Sequence, residues 1–189
     1  MLLIAALSLW GYNTWEDHQA GSASAQHLQA LVQQVPPVKD SGLMLDIPVP
    51  EEELLPEDVQ MQETMVNGYA YIGYLSIPAL KLELPVLAEC TDANLKISPC
   101  LFTGTTMEDD LTIAGHNYRR HFGPIRRLKP GNDIIFVDMD GNAIHYQVAA
   151  VDAVPPTAVE EVTSGQFDLA LITCTYGGKT RLVVYCDRQ

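Results

Sequence analysis

Leu171-Ile172-Thr173-Cys174-Thr175-Tyr176-Gly177-Gly178-Lys179-Thr180-Arg181 is the stretch from which the rest of the chain can be read. Leu169 to Thr173 is apolar and strand-prone, Gly177-Gly178 supplies a turn, and Arg181 to Tyr185 returns as a second strand-prone run. The pattern predicts a hairpin with a thiol closing one strand and a cation opening the next. In a hairpin, Cys174 and Arg181 meet at one mouth. A cation near a thiol favours the thiolate. It can also stabilise the oxyanion that forms when a thiolate attacks a carbonyl. The competing reading of the same residues is a buried structural cysteine beside a surface arginine.

Working outward, the β texture begins at Tyr69. Leu80, Leu82, Leu84 and Val86 alternate with Lys81, Glu83 and Pro85, which predicts a half-buried strand. Leu111 to Ala114 reads as a short apolar strand. Ile134 to Val137 and Ala143 to Val151 flank Asp140-Gly141, a two-residue hairpin turn. Short helices fit near Phe122 to Leu128 and Ala158 to Val162. Many short strands separated by turn residues predict an all-β barrel or sandwich with few helices.

A second candidate for chemistry lies at Thr112-Ile113-Ala114-Gly115-His116-Asn117. A histidine just past a strand end can project into a cleft, and its intrinsic pKa suits proton transfer near neutrality. On its own it is a lone histidine, for which a structural role is the better expectation. His121 is the competitor, placed in a basic loop expected to face solvent. His18 and His27 fall in the N-terminal helix, and His145 lies in the polar row of a strand. Strand parity puts Arg181, Val183 and Tyr185 on one face and Leu182, Val184 and Cys186 on the other, so Cys186 reads as core.

The two remaining cysteines, Cys90 and Cys100, leave one disulfide open that sequence does not settle. No C-x-x-C pair, zinc signature, phosphate loop or G-x-S-x-G elbow occurs, and neither metal nor cofactor is expected. Asp138-Met139-Asp140-Gly141-Asn142 faintly resembles a calcium loop but lacks its closing glutamate, and the hairpin turn explains it better.

The 189 residues, 47% of them apolar, suit one domain plus an appendage. The net charge of −13 is uneven: Asp40 to Asn67 holds eight acidic residues and no basic one. The acidity therefore belongs mostly to a linker, and a nucleic-acid partner, which would need a basic surface, is not expected. Arg119, Arg120, Arg126, Arg127 and Lys129 form a basic cluster. It reads either as a solvated face or as a contact for anionic substrate or lipid headgroups.

Met1 to Leu9 is apolar and is followed by Trp10, Tyr12 and Trp15, as at a membrane interface. The run is short of the ~20 residues of a spanning helix. The expectation is the outer part of an uncleaved signal anchor, continuing from about Thr14 to Gln34 as a helix into solvent. A cleaved signal peptide, with Ala23-Ser24-Ala25 as its site, and a buried N-terminal helix are the alternatives. Val35-Pro36-Pro37 should stop the helix. The resulting division is 1–35 anchor and stalk, 36–67 acidic Pro-rich linker or arm, and 68–189 catalytic β domain.

Gly115-His116, then Leu171-Ile172-Thr173-Cys174, then Arg181, in that order, resemble the sortase family. Ile72-Gly73-Tyr74-Leu75-Ser76-Ile77-Pro78, Leu84-Pro85-Val86, Phe122-Gly123-Pro124-Ile125 and Leu128-Lys129-Pro130-Gly131-Asn132 add to the resemblance, which spans about Gly68 to Cys186. The resemblance implies a closed eight-stranded β-barrel preceded by an N-terminal helix. It implies a single-pass membrane protein with its catalytic domain outside a Gram-positive cell. The implied reaction is transpeptidation at an LPXTG-like C-terminal sorting signal. Cys174 would attack the signal's threonine carbonyl, His116 would handle the protons, and Arg181 would hold the substrate and its oxyanion. Thr173 and Asn117 would line the substrate site.

The implied partners are proteins carrying the signal and an amine acceptor, either a cell-wall precursor or a pilin-like protein. The short connection from Val154 to Phe167 departs from class B members. The linker departs from the Asp-Pro-aromatic lid of class C. Class A, class D or a divergent class is left. A hydrolytic cysteine peptidase and a non-catalytic surface-binding module are the alternatives.

Overall fold

Asp140-Gly141 turns the chain where the sequence predicts. Gly141 holds a φ of +81°, where a side chain would be strained. The Asp138 carboxylate accepts hydrogen bonds from the backbone of Asp140 (2.9 Å) and Asn142 (2.8 Å) and from the Asn142 side chain (2.8 Å). The acidic run thus serves the turn.

The structure, a computed structural model, describes residues 2–40, 61–175 and 177–189. Two short strands, β1 (Lys39–Asp40) and β2 (Thr64–Val66), precede eight others: β3 (Tyr69–Ile77), β4 (Leu82–Leu87), β5 (Cys100–Thr103), β6 (Leu111–Gly115), β7 (Asp133–Asp138), β8 (Asn142–Val154), β9 (Leu169–Cys174) and β10 (Arg181–Arg188). These eight close on themselves in the order β3-β4-β5-β6-β9-β10-β8-β7, with β7 pairing back to β3. The expected eight-stranded barrel is therefore present. β1 adds to β8 and β2 to β3 as outer extensions. Closure leaves no bare edge within the ring. Leu75, Ile113, Phe136, Leu171 and Val184 fill its interior, and Cys186 is buried there as parity predicts.

The helices are few, as expected: α1 (Leu2–Val32), α2 (Asp92–Leu95) and α3 (Val159–Val162), with 3-10 turns at Pro78–Leu80 and Gly123–Arg127. The alternation predicted from Leu80 starts later. Leu80 belongs to a 3-10 turn and Lys81 is left-handed (φ +52°), so the strand begins at Leu82. Leu84, Pro85, Val86 and Leu87 are all buried, because the outer face of β4 is covered too. Ser98 donates to the Pro85 carbonyl there (2.5 Å), and α1 packs on the same strand.

Around α1, two expectations are corrected, and a third, that His27 falls in this helix, holds and gains a role. First, α1 stops at Val32 ahead of Pro36-Pro37, but it does not run free into solvent. Ala20, Ser24 and Leu31 are buried against the barrel. Gly21 lets the stem of Arg120 cross the helix, since a Cβ there would fall 2.0 Å from Arg120 Cδ. The Asp17 carboxylate accepts from the Arg119 backbone (2.6 Å). Second, His27 is a docking residue that hydrogen-bonds the Tyr71 hydroxyl. Third, His121 is not solvent-facing. It is 0% exposed beneath α1, and among the described residues neither ring nitrogen has a well-formed hydrogen bond.

Of the acidic arm, residues 41–60 lie outside the described residues. Met61 and β2 already belong to the barrel, with Met61 and Val66 buried. Among the described residues, no helix is long and apolar enough to cross a membrane.

Candidate active site

The β9–β10 hairpin forms as predicted, and its register places Arg181 directly opposite Cys174. Beyond that pair the turn is held shut from within. Thr175 N–H donates to the Thr180 carbonyl (3.1 Å), and the two threonine hydroxyls hydrogen-bond (2.8 Å). Gly177 and Gly178, at φ +83° and +68°, supply the left-handed backbone that so tight a return needs. Arg181 Nη1 donates to the carbonyls of Gly178 (3.3 Å) and Thr180 (3.5 Å). A guanidinium has five N–H donors, so these two bonds orient it without using it up.

His116 arrives by a different route. β6 runs parallel to β9, and its last pair is Gly115 with Thr173. The residue after Gly115 is His116, just past the end of β6, and the residue after Thr173 is Cys174, the last of β9. Phe122 fixes the exit of His116: its N–H donates to the His116 carbonyl (3.1 Å). Its ring fills the space over Gly115, where a Cβ would lie 2.7 Å from Phe122 Cδ2. The His116 ring sits 4.9 Å from that of Tyr118, tilted by 46°. Burial, with help from Lys96, holds the imidazole below its ordinary pKa, against the opposing charges of Asp92 and Glu16. It is therefore mostly neutral at pH 7 and able to accept a proton. His121, pushed down to about 4 by burial, has no access to the mouth.

Thr173 is 4% exposed, and its hydroxyl has no hydrogen-bond partner among the described residues. Asn117 is half-buried and lines a cleft of about 450 Å³ with Tyr118, Arg119, Gly177 and, from α1, Trp10 and Asp17. The basic cluster lies beside it: Arg119, Arg126 and Arg127 line a neighbouring cleft together with Asn117.

Arg181 itself lines an apolar groove of about 250 Å³, walled by Phe102, Ala114, Val154, Pro156, Val162 and Ile172. The sequence reading names none of these residues as a site. A local signal exists in hindsight, since Val154-Pro155-Pro156 is an apolar, rigid run in a connection that should be polar. The groove comes from β5, β6 and β9 together with the α3 connection, so no single segment announces it.

Known proteins resemble this chain in sequence and fold. A family model described as the sortase domain matches residues 75–189. The chain is 28% identical over 180 residues to Sortase A of Bacillus anthracis, a match covering 92% of this chain and 83% of that protein. Sortase C1 of Streptococcus agalactiae superposes with a TM-score of 0.58 at 25% identity, over 66% of this chain and 70% of that one. Sortase A of Corynebacterium diphtheriae superposes with a TM-score of 0.55 at 24% identity, over 64% and 61%. The similar structures span several sortase classes.

Proposed function

The chain belongs to the sortase family of cysteine transpeptidases, and on that footing we propose that Cys174, His116 and Arg181 are its catalytic residues. The observation that carries this reading is register. Arg181 is the cross-strand partner of Cys174, and the Gly115–Thr173 pair immediately precedes His116 and Cys174 in their segments.

The substrate is a C-terminal sorting signal similar to LPXTG. Its apolar part lies in the groove of Phe102, Val154, Pro156 and Val162, and its scissile carbonyl reaches Cys174. His116 takes the thiol proton, and the thiolate attacks that carbonyl. Arg181 stabilises the oxyanion of the tetrahedral intermediate. The imidazolium returns the proton to the departing amine, which leaves a thioacyl enzyme. A second amine then enters, gives its proton to His116 and displaces Cys174. The thioester divides one hard acyl transfer into two easier ones. Thr173 and Asn117 line the path of the substrate backbone.

The acceptor amine belongs to a cell-wall precursor or to another surface protein. Sortases are cell-surface associated, and the apolar start of α1 with its exposed Trp10, Tyr12 and Trp15 supports attachment of this chain to the membrane at that end. The described ends of the 36–67 segment pair with barrel strands, Lys39–Asp40 with β8 and Thr64–Val66 with β3.

The test is incubation with a panel of sorting-signal peptides, with and without a nucleophilic amine, read by mass spectrometry. The expected result is a thioacyl adduct on the tryptic peptide of Cys174 and an amine-ligated product that grows with amine concentration. Cleavage that stays purely hydrolytic at every amine concentration overturns the transpeptidase assignment of this site. A wild type that leaves all peptides intact while binding them overturns the assignment of the residues.

A further inference from the structure

Cys90 and Cys100 take no part in the site above, yet they lie together. β4 and β5 run parallel with Leu87 opposite Cys100, and Leu87 N–H donates to the Pro99 carbonyl (2.9 Å). Between them the chain makes one short excursion through α2. Thr91 caps α2 by accepting from Asn94 N–H (3.1 Å). The excursion closes with Ser98 N–H on the Asn94 carbonyl (3.0 Å). The return brings residue 90 back over residue 100. Both side chains join one apolar cluster with Leu95 and Ile97, and the two thiols are in hydrogen-bonding contact. All four cysteines are free thiols in this structure.

The two sulfurs are not equivalent. Cys100 is fully buried and its thiol also donates to the Ser98 carbonyl (3.3 Å). Cys90 is only half-buried. The hydrogen bond from Cys100 holds the Cys90 thiol below its ordinary value, and the same bond, with burial, pushes Cys100 up. A reachable, thiolate-prone cysteine above a shielded partner is the arrangement of an attacking thiol and a resolving thiol. Cys186 is sealed in the barrel interior, and Cys174 stands at the mouth, so neither competes for this pairing.

We propose that Cys90 and Cys100 form a redox pair that closes reversibly into a disulfide and staples the α2 excursion. The oxidant is an external disulfide. The Cys90 thiolate attacks one of its sulfurs and expels a thiolate, giving a mixed disulfide. Cys100 then loses its proton and attacks Cys90 Sγ, expelling the second thiol. Two electrons and two protons pass to the external disulfide, which becomes two thiols. The stapled segment carries Asp92 and Lys96, whose charges act on His116 in opposite senses.

The experiment treats the full chain with oxidised glutathione, blocks remaining thiols with N-ethylmaleimide and digests with trypsin. Cleavage after Lys81, Lys96 and Arg119 puts the two cysteines on adjacent peptides. The expected product is peptide 82–96 linked to peptide 97–119, restored to two alkylated peptides by reduced glutathione. Oxidation should also raise the melting temperature by about 5–10 °C, as expected for a loop of this length. Cys90→Ser should show neither effect. The proposal is overturned if both cysteines stay alkylated, if Cys90 stops as a glutathione adduct, or if the thermal shift persists in Cys90→Ser. The wild-type peptide map decides even if that variant folds poorly.

Discussion

Gly115 and Thr173 face each other as the last pair of the parallel β6–β9 ladder. His116 and Cys174 are the residues that follow this pair in their two segments. Gly115 contributes by lacking a side chain, because the Phe122 ring occupies the place of its Cβ at 2.7 Å. Gly115→Ala should push Phe122 off the strand and shift His116 with it. Overpacking of this kind costs ~1–3 kcal/mol, whereas a displacement near 1 Å at a reacting group costs about 100-fold in rate. Activity should fall much further than stability. Parallel measurement of kcat/KM and of the melting temperature separates the two, and equal, small losses would count against the positioning role.

The trio should separate by role. Cys174→Ala should abolish both peptide cleavage and the thioacyl adduct. Arg181→Lys keeps the charge but not the planar fork, so kcat should drop by about 10²–10³ while the melting temperature stays close to wild type. Single-turnover kinetics with mass detection of the adduct check both.

Thr173 offers a finer test. Its buried hydroxyl has no partner among the described residues, so Thr173→Val removes a polar atom that the fold does not use. Stability should be unchanged or slightly raised. If the hydroxyl serves the substrate, KM should rise by roughly five- to tenfold, worth ~1 kcal/mol. An unchanged KM would leave Thr173 as packing alone.

The pH dependence has two sources with different signatures. His116 is held below 6.5 mainly by burial and then by Lys96, so the acidic limb of the kcat/KM profile should lie below pH 6.5. Lys96→Ala removes a cation and should move that limb upward. Asp92→Ala removes an anion and should move it downward. Opposite displacements in the two profiles are the expected result, and shifts in the same direction would refute the assignment.

His121 governs stability instead. Its folded pKa, about 4, lies below the unfolded value of 6.5, so between those limits the unfolded chain binds more protons. Stability is fully present above about pH 6.5 and falls as the pH drops towards 4, by at most ~3 kcal/mol from this group. Its site lies under α1, so the helix should loosen first. Hydrogen exchange along residues 17–31 at pH 7 and pH 5 reads this directly. His121→Leu should flatten the difference.

What sequence determined by itself is the part built from neighbours in the chain. The strands follow from their apolar runs, the Asp140-Gly141 and Gly177-Gly178 turns from their residue types, and the Cys174–Arg181 contact from a hairpin that brings its own ends together. The resemblance of these segments to sortases also identified the barrel before its closure was seen. Tertiary structure decided whatever rests on pairing between distant segments. Residue 115, just before His116, meets residue 173, just before Cys174, and no periodicity encodes which strands become neighbours. His121 sits in a basic loop by sequence, yet α1 folds over it and removes it from water. The docking of α1 was equally hidden. Its contact face is made of small residues, Ala20, Gly21 and Ser24, with Leu31. Such a face carries little hydrophobic pattern and reveals itself only through the shape of the surface it meets.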